Sequence, residues 1–245
     1  MELSEKSCEL ESTKISQQKA EYKKLLSKFS HEIRNPLTLV NSSLQLLEKE
    51  YPDLQTSPLW PQIKQDLGDI LSLLQDMSAL NNIDVIRRSY FTVENFLKEI
   101  ENSFTSFMQE KNINFILSSD RNAAPIQLFA DKYKLREAIV NLLLNAVDAV
   151  SVLPQKRTIF LFADLNDAEI CFHVQDNGPG IPDTYMETLF EPFITHKQHG
   201  TGLGLGIAKS IAQQHGGHIT LNTCTVQPDT YTHFCLHLPL CESST

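Results

Sequence analysis

Two different hydrophobic rhythms divide the chain. Leu25 and Phe29 open an apolar stripe, and Ile33, Leu37, Val40, Leu44 and Leu47 continue it at alternating steps of four and three. The Tyr51-Pro52-Asp53 triplet stops that helix, and a connection containing Ser57-Pro58 and Pro61 follows. A second stripe, Ile63, Leu67, Ile70, Leu74 and Met77, repeats the same steps. Such a seam belongs to helices packed as a left-handed bundle. Two helices joined by a short connection make a hairpin, and a lone hairpin has too little core to stand alone. Pairing two copies into a four-helix bundle solves that, so a homodimer is expected. The polar residues 5–28 read as helix leading into the first stripe.

After Ser89 the rhythm changes to alternation broken by turns. Phe91–Glu94 reads as a short strand and residues 94–110 as an amphipathic helix carrying Phe96, Leu97, Ile100, Phe104 and Phe107. Asn112–Leu117 and Ile126–Ala130 read as strands. Asp131 is placed to cap a helix running to about Ser151. Strands at Thr158–Ala163 and Glu169–Gln175 flank a turn at Leu165-Asn166-Asp167. A helix over Gly204–His215 and strands at Gly217–Asn222 and Thr232–Leu238 close the chain. This mixture predicts an α+β two-layer sandwich, with helices over one face of a mixed sheet. Glycine placement supports the division: apart from Gly68, every glycine lies at or beyond Gly178. The joint is expected near Arg87–Tyr90.

Composition narrows the function classes. The chain has 245 residues, 41% hydrophobic and 21% charged, as in ordinary globular proteins. A formal net charge of −9, with no dense basic run, argues against nucleic acid as a partner. No stretch approaches the ~18–20 apolar residues of a membrane span. The first residues lack the apolar region of a signal peptide. Cys8, Cys171, Cys224, Cys235 and Cys241 form no C-x-x-C pair and have no histidines at zinc-finger spacing. They read as reduced thiols of a cytoplasmic protein, whether the chain is whole, a fragment, or a soluble partner of a membrane-associated sensor.

Four segments carry candidate chemistry. With Phe29 and Ile33 facing a core, His31 points to solvent, and Asn35 lies one turn on along the same face. Glu32 is adjacent, and a carboxylate beside an exposed imidazole can hold the proton that makes it a nucleophile. Pro36 cannot donate to the carbonyl of Glu32, so the helix is expected to loosen there. Along the helix after Asp131, Glu137, Asn141, Asn145 and Asp148 form one polar stripe, suited to holding a magnesium ion, its waters and a phosphate. At the end of the strand Glu169–Gln175 stands Asp176-Asn177-Gly178-Pro179-Gly180-Ile181. There a carboxylate can accept from an exocyclic amine, and glycines permit close backbone approach. Finally, Gly200-Thr201-Gly202-Leu203-Gly204-Leu205-Gly206 opens a helix and can present amides and the positive dipole end to phosphates. It matches neither the Walker pattern nor a Rossmann turn. The long segment 182–199 between the last two reads as a lid, with Lys197 placed to reach a terminal phosphate.

The order and spacing of these segments resemble the sensor histidine kinases of two-component systems. Residues 30–38 resemble the H-box, 135–149 the N-box, 176–181 the G1 box, 189–193 (with Phe190) the F-box, and 200–206 the G2 box. The resemblance spans about residues 22–240. It implies a signalling helix or linker over 1–21, a dimerisation and histidine-phosphotransfer hairpin over 22–88, and a Bergerat-type (GHKL ATPase-like) ATP-binding domain over 89–241. It implies that His31 is the phospho-acceptor, Glu32 its general base, and Asn35 part of a Glu-x-x-Asn pattern linked to dephosphorylation of the partner. It further implies that Asn145 is the principal Mg2+ ligand with Asn141 beside it, and that Asp176 reads adenine. Asp148, Gly178, Gly180, Ile181, Phe190, Lys197, Gly200, Thr201, Gly202, Leu203, Gly204, Leu205 and Gly206 complete the implied ATP-binding set. The acid at Asp148 resembles the nitrogen-regulatory branch, and equally related ATPases such as gyrase. The implied activity is ATP-dependent autophosphorylation followed by transfer to an aspartate of a response regulator, with accompanying phosphatase activity. Two rivals share parts of the pattern: an ATPase or protein-serine kinase on the same nucleotide fold, and a phosphotransfer scaffold with a degenerate nucleotide site.

Overall fold

A computed structural model describes residues 30, 32–81, 86–119, 125–166, 168–195, 197, 200–227 and 230–240. His31, Asp167 and the segment 1–29 lie outside the described residues. The chain divides into two compact units: Met1–Asn82 with Lys197–Thr201, and Ile83–His196 with Gly202–Thr245.

In the first unit, helix α1 runs through residues 32–50 without interruption at Pro36. The loosening expected at Pro36 does not end the helix. The Thr38 hydroxyl donates to the carbonyl of Arg34 at 2.8 Å. A short 3-10 turn, Pro52–Thr56, follows Tyr51, and α2 spans Leu59–Asn81. Pro61 therefore sits in the first turn of α2, where its missing N–H costs nothing. Trp60, Leu67 and Leu74 are buried at heptad spacing. The α1 positions facing them are half-buried and include Leu37 and Leu44. Polar groups tie the same interface. Arg34 Nη2 donates to Leu74 O at 2.9 Å and to Ser78 Oγ at 3.0 Å, and Lys64 Nζ pairs with Glu48 at 2.9 Å. Most of the remaining apolar positions form a second heptad row that stays exposed, Ile33, Val40 and Leu47 on α1 and Ile63 and Ile70 on α2, with Met77 half-buried at its end. The single seam read from the sequence is thus two seams, one closed within the hairpin and one open.

In the second unit, Arg87 N donates to Asp131 Oδ2 at 2.7 Å, and β1 already spans Ser89–Thr92. The stretch taken as a joint is therefore tied into this unit. Helix α3 (Val93–Glu110) buries Phe96, Leu97, Ile100, Phe104 and Met108, and the Thr92 side chain caps it by accepting from Asn95 N. Strands β2 (Asn114–Ser119) and β3 (Gln127–Ala130) lead to α4 (Lys132–Ser151). Its N-cap is Asp131 as read from the sequence, with Oδ1 accepting from Tyr133 N and Lys134 N at 3.1 Å. β4 (Thr158–Asn166) and β5 (Glu169–Asp176) form an antiparallel pair. A second 3-10 turn covers Asp183–Tyr185. Helix α5 (Gly204–Gln214), β6 (His218–Cys224) and β7 (Tyr231–Pro239) complete the unit. The main sheet has the order β2-β4-β5-β7-β6, and β1 pairs with β3 separately. Only β2 and β4 are parallel within the main sheet. Ile170, Phe172 and Val174 of β5 and Phe234, Leu236 and Leu238 of β7 are buried, and Phe172 meets Phe96 of α3 edge-on at 5.7 Å. The helices thus cover one face of the sheet, which is the expected two-layer sandwich.

Candidate functional site

The site grows from the place where β5 ends against α4. Asp176 is the last residue of β5, pairs in register with Thr232 of β7, and is only 1% exposed. Its Oδ1 accepts from Gly178 N at 2.8 Å. The turn is held from behind by Asn177, whose Oδ1 accepts from Thr158 N at 2.8 Å and whose Nδ2 donates to Lys156 O at 2.6 Å. Gly178 is forced by space. A Cβ there would lie 2.6 Å from Asp176 Oδ1 and 2.9 Å from Ala149 Cβ of α4. Gly180 is forced by conformation, with φ +77°, and by space, since a Cβ there would run into the Cys224 carbonyl. The close approach expected of these glycines is therefore first to the chain itself. Ile181 N donates to Thr223 Oγ1 at 2.9 Å, which fastens the turn to the end of β6.

Helix α4 brings its polar stripe to the same place. Glu137, Asn141 and Asn145 are half-buried and Asp148 is exposed, while Leu135, Ile139, Leu142, Leu143, Val147 and Val150 are buried on the other faces. Asn141 Oδ1 lies 3.2 Å from where a Cβ of Gly204 would stand, so the start of α5 abuts the asparagine row. Leu203 occupies the N-cap of α5 and is fully buried, and no side chain caps the helix there. First-turn amides and the helix dipole favour anions at such an end. Leu205 and Gly206 lie half-buried in that first turn.

The segment before α5 is strapped to it. Phe193 N donates to Gly202 O at 3.1 Å. The Phe190 ring packs edge-on to Phe234 at 6.4 Å, with Lys209 Nζ 5.2 Å above its face. Lys197, Gly200 and Thr201 belong to the helical unit. There Thr201 Oγ1 donates to Asp76 Oδ2 at 2.8 Å, and burial pushes the Asp76 carboxyl up. The structure therefore gathers Asn141, Asn145, Asp176, Gly178, Gly202, Leu203 and Gly204 in one unit and leaves Lys197, Gly200 and Thr201 in the other. Glu32 and Asn35 are exposed on α1.

Sequence reasoning missed three supports: Asn177, Thr223 and His215. Asn177 was visible only as part of a turn, and Thr223 gains its role through strand register. His215 Nε2 accepts from Asp131 N at 3.0 Å, and its Nδ1 donates to Ile211 O at 2.8 Å. Burial pushes its pKa down. It therefore links the end of α5 to the cap of α4 as a neutral imidazole.

Comparison with known proteins identifies both regions of the chain. Residues 22–85 match the His Kinase A (phospho-acceptor) domain, and residues 130–242 match the histidine kinase-, DNA gyrase B- and HSP90-like ATPase family. The sensory histidine kinase/phosphatase NtrB of Escherichia coli O157:H7 is 30% identical over 88% of this chain and 62% of its own length. The structure of full-length ShkA in complex with AMPPNP aligns with TM-score 0.72 at 22% identity, covering 91% of this chain and 47% of that one. Histidine kinase ThkA in complex with response regulator protein TrrA aligns with TM-score 0.62 at 22% identity, covering 89% of this chain and 61% of that one. At that identity the two structures attest the fold. The chain spans between 29% and 62% of the length of curated relatives it matches. A phospho-acceptor region followed by this ATPase region, in the order the sequence motifs take, makes the chain a member of the sensor histidine kinases.

Proposed function

We propose that this chain is a kinase transmitter core that phosphorylates itself on His31 with ATP and passes the phosphoryl group to an aspartate of a response regulator. The observation that carries this reading is the meeting of Asp176-Gly178 and Gly204 with α4, at Ala149 and Asn141. A buried carboxylate suited to an exocyclic amine and an α5 end suited to phosphate flank one asparagine row.

In this reading residues 1–21 are a signalling helix or linker, 22–88 the phosphotransfer hairpin, and 89–241 the ATP-binding domain. Asp176 accepts from the adenine amine, while Gly178, Gly180 and Ile181 shape the turn beneath the base. Gly202, Leu203, Gly204, Leu205 and Gly206 offer amides to the phosphates, and Asp148 and Phe190 border them. Asn145 and Asn141 fit magnesium, because their amide oxygens are hard donors one turn apart on the same helix face. Bound there, the ion offsets charge on the phosphates. Glu32 holds the proton of the His31 imidazole, and Asn35 orients water for the phosphatase reaction, an activity that NtrB carries in its name. A response regulator as partner is supported by the ThkA–TrrA complex. The open heptad row Ile33, Val40, Leu47, Ile63 and Ile70 supports a homodimer closed as a four-helix bundle. No described helix is long and apolar enough to cross a membrane; a cytoplasmic location is part of this proposal.

The test is autophosphorylation with γ-labelled ATP and magnesium in the wild type, His31→Gln and Asn145→Ala. Both variants should lose an acid-labile, alkali-stable label. Label retained in His31→Gln, or an acid-stable phosphoserine, overturns the reading.

A further inference from the structure

The sheet face turned away from the helices carries chemistry that the nucleotide site does not use. Because Phe172 of β5 meets α3, its neighbours Cys171 and His173 lie on the opposite face. Register there sets Cys171 against His237 and His173 against Cys235 on β7, and Cys171 against Asp164 on β4. The outer face of a two-layer sandwich is ordinarily wet. Here Cys171 is 2%, Cys235 5% and His173 9% exposed.

We propose that Cys171, Cys235, His173 and Asp164 form a tetrahedral site for a thiophilic divalent cation, zinc, which staples β4, β5 and β7 together.

The donor atoms of Cys171, His173 and Cys235 already lie within 4.8 Å of one another. Zinc–sulfur bonds of ~2.3 Å and zinc–nitrogen or –oxygen bonds of ~2.0–2.1 Å give tetrahedral edges of roughly 3.3–3.8 Å. His173 Nε2 stands 3.8 Å from Cys235 Sγ and 3.1 Å from Asp164 Oδ1, close to those edges. Two sulfurs, one imidazole nitrogen and one carboxylate oxygen suit zinc rather than magnesium or calcium, which take oxygen shells. Four protein donors on three paired strands close the shell, as in structural rather than catalytic zinc sites.

The surroundings orient the ligands. His173 Nδ1 is 2.9 Å from His233 Nε2, so a proton on Nδ1 donates to His233 and leaves Nε2 bare for a metal. The His173 ring is stacked on Phe162 at 4.3 Å and 8°, which fixes its plane. On the other side, His237 Nδ1 lies 3.3 Å from Cys171 Sγ and 3.4 Å from Glu169 Oε2, and its Nε2 meets Thr220 Oγ1 at 2.9 Å. Cation binding exchanges two thiol protons for the metal.

The experiment uses the whole chain, reduced, stripped with chelator and titrated with zinc alone against a chromophoric chelator, then with cobalt. One equivalent of zinc should bind, and cobalt should give tetrahedral ligand-field bands with a thiolate-to-cobalt charge-transfer band. Cys171→Ser and Cys235→Ser should each weaken zinc by more than the ~10–100-fold typical of changes behind the ligands, and His233→Phe by about that amount. Cys224→Ser, outside the cluster, should bind as wild type does. ATP titration of each variant checks that the domain is folded. Absence of stoichiometric zinc, a cobalt spectrum without the thiolate band, or equal affinity in folded Cys171→Ser and Cys235→Ser would overturn the proposal. The cobalt spectrum of the wild type decides the matter even where a variant fails to fold.

Discussion

Replacing His215 by Phe tests how α4 and α5 of the ATPase unit are joined. The imidazole makes two buried bonds: it donates to Ile211 O at 2.8 Å and accepts from Asp131 N at 3.0 Å. The losses are unequal. Ile211 O keeps the His215 backbone N–H as a donor at 3.2 Å, so its share is about 0.5–1.5 kcal/mol. The Asp131 N–H loses its imidazole acceptor inside the protein, at about 1–3 kcal/mol. Phe refills the space, so the expected destabilisation at about pH 8 is roughly 1.5–4.5 kcal/mol. Acid makes the prediction sharper. Burial lowers the His215 pKa in the native state, so below the unfolded value near 6.5 the unfolded chain takes a proton that the native chain does not. Stability from this group is fully present above that value and is lost as pH falls toward the native pKa. The gap between wild type and His215→Phe should therefore narrow in acid, by at most ~1.4 kcal/mol per pH unit. His233 and His237, also lowered by burial, tilt both proteins alike and cancel in the difference. Urea unfolding at several pH values measures this. Circular dichroism is the readout, because the single tryptophan, Trp60, lies in the helical unit. A gap below about 0.5 kcal/mol at pH 8, or one that does not change with pH, would refute the joint.

Two further outcomes are expected. Gly178→Ala places a Cβ 2.6 Å from Asp176 Oδ1 and 2.9 Å from Ala149 Cβ, so nucleotide titration should show ATP binding weakened about 10–100-fold, equivalent to ~1.4–2.7 kcal/mol. Val40→Glu puts a charge in the open heptad row; size-exclusion chromatography should show dissociation of the proposed dimer with hairpin helicity retained, and unchanged mass would exclude that row as the interface.

Much of the fold was legible because local chemistry and period agreed. Asp131 announces its helix through its position before an apolar stripe, and the structure gives it two amides to accept from. The strand pair Thr158–Ala163 and Glu169–Gln175 was legible because alternation on either side of a polar break leaves few alternatives, although β4 continues through Leu165 and Asn166, which the sequence placed in the break. What stayed hidden depends on register. Asn141 meeting Gly204 and Thr223 holding Ile181 are contacts between distant segments, which no spacing encodes. The heptad pattern could not say which half of its seam the hairpin closes. Trp60 decides it, sitting at the start of α2 in line with Leu67 and Leu74. The five cysteines looked unremarkable for the same reason. Cys171 and Cys235 are far apart in the chain, and only antiparallel pairing of β5 with β7 makes them diagonal neighbours.

Strand β5 has a consequence for how this protein can vary. Its even-numbered residues end at Asp176 on the helix side, and its odd-numbered residues carry Cys171 and His173 on the far side. Inside β5, adding or removing one residue upstream of Asp176 turns either the cysteine–histidine group or the carboxylate through the sheet. Related chains should therefore tolerate substitutions along this strand far better than a one-residue insertion or deletion, and β5 should be the stretch whose length drifts least.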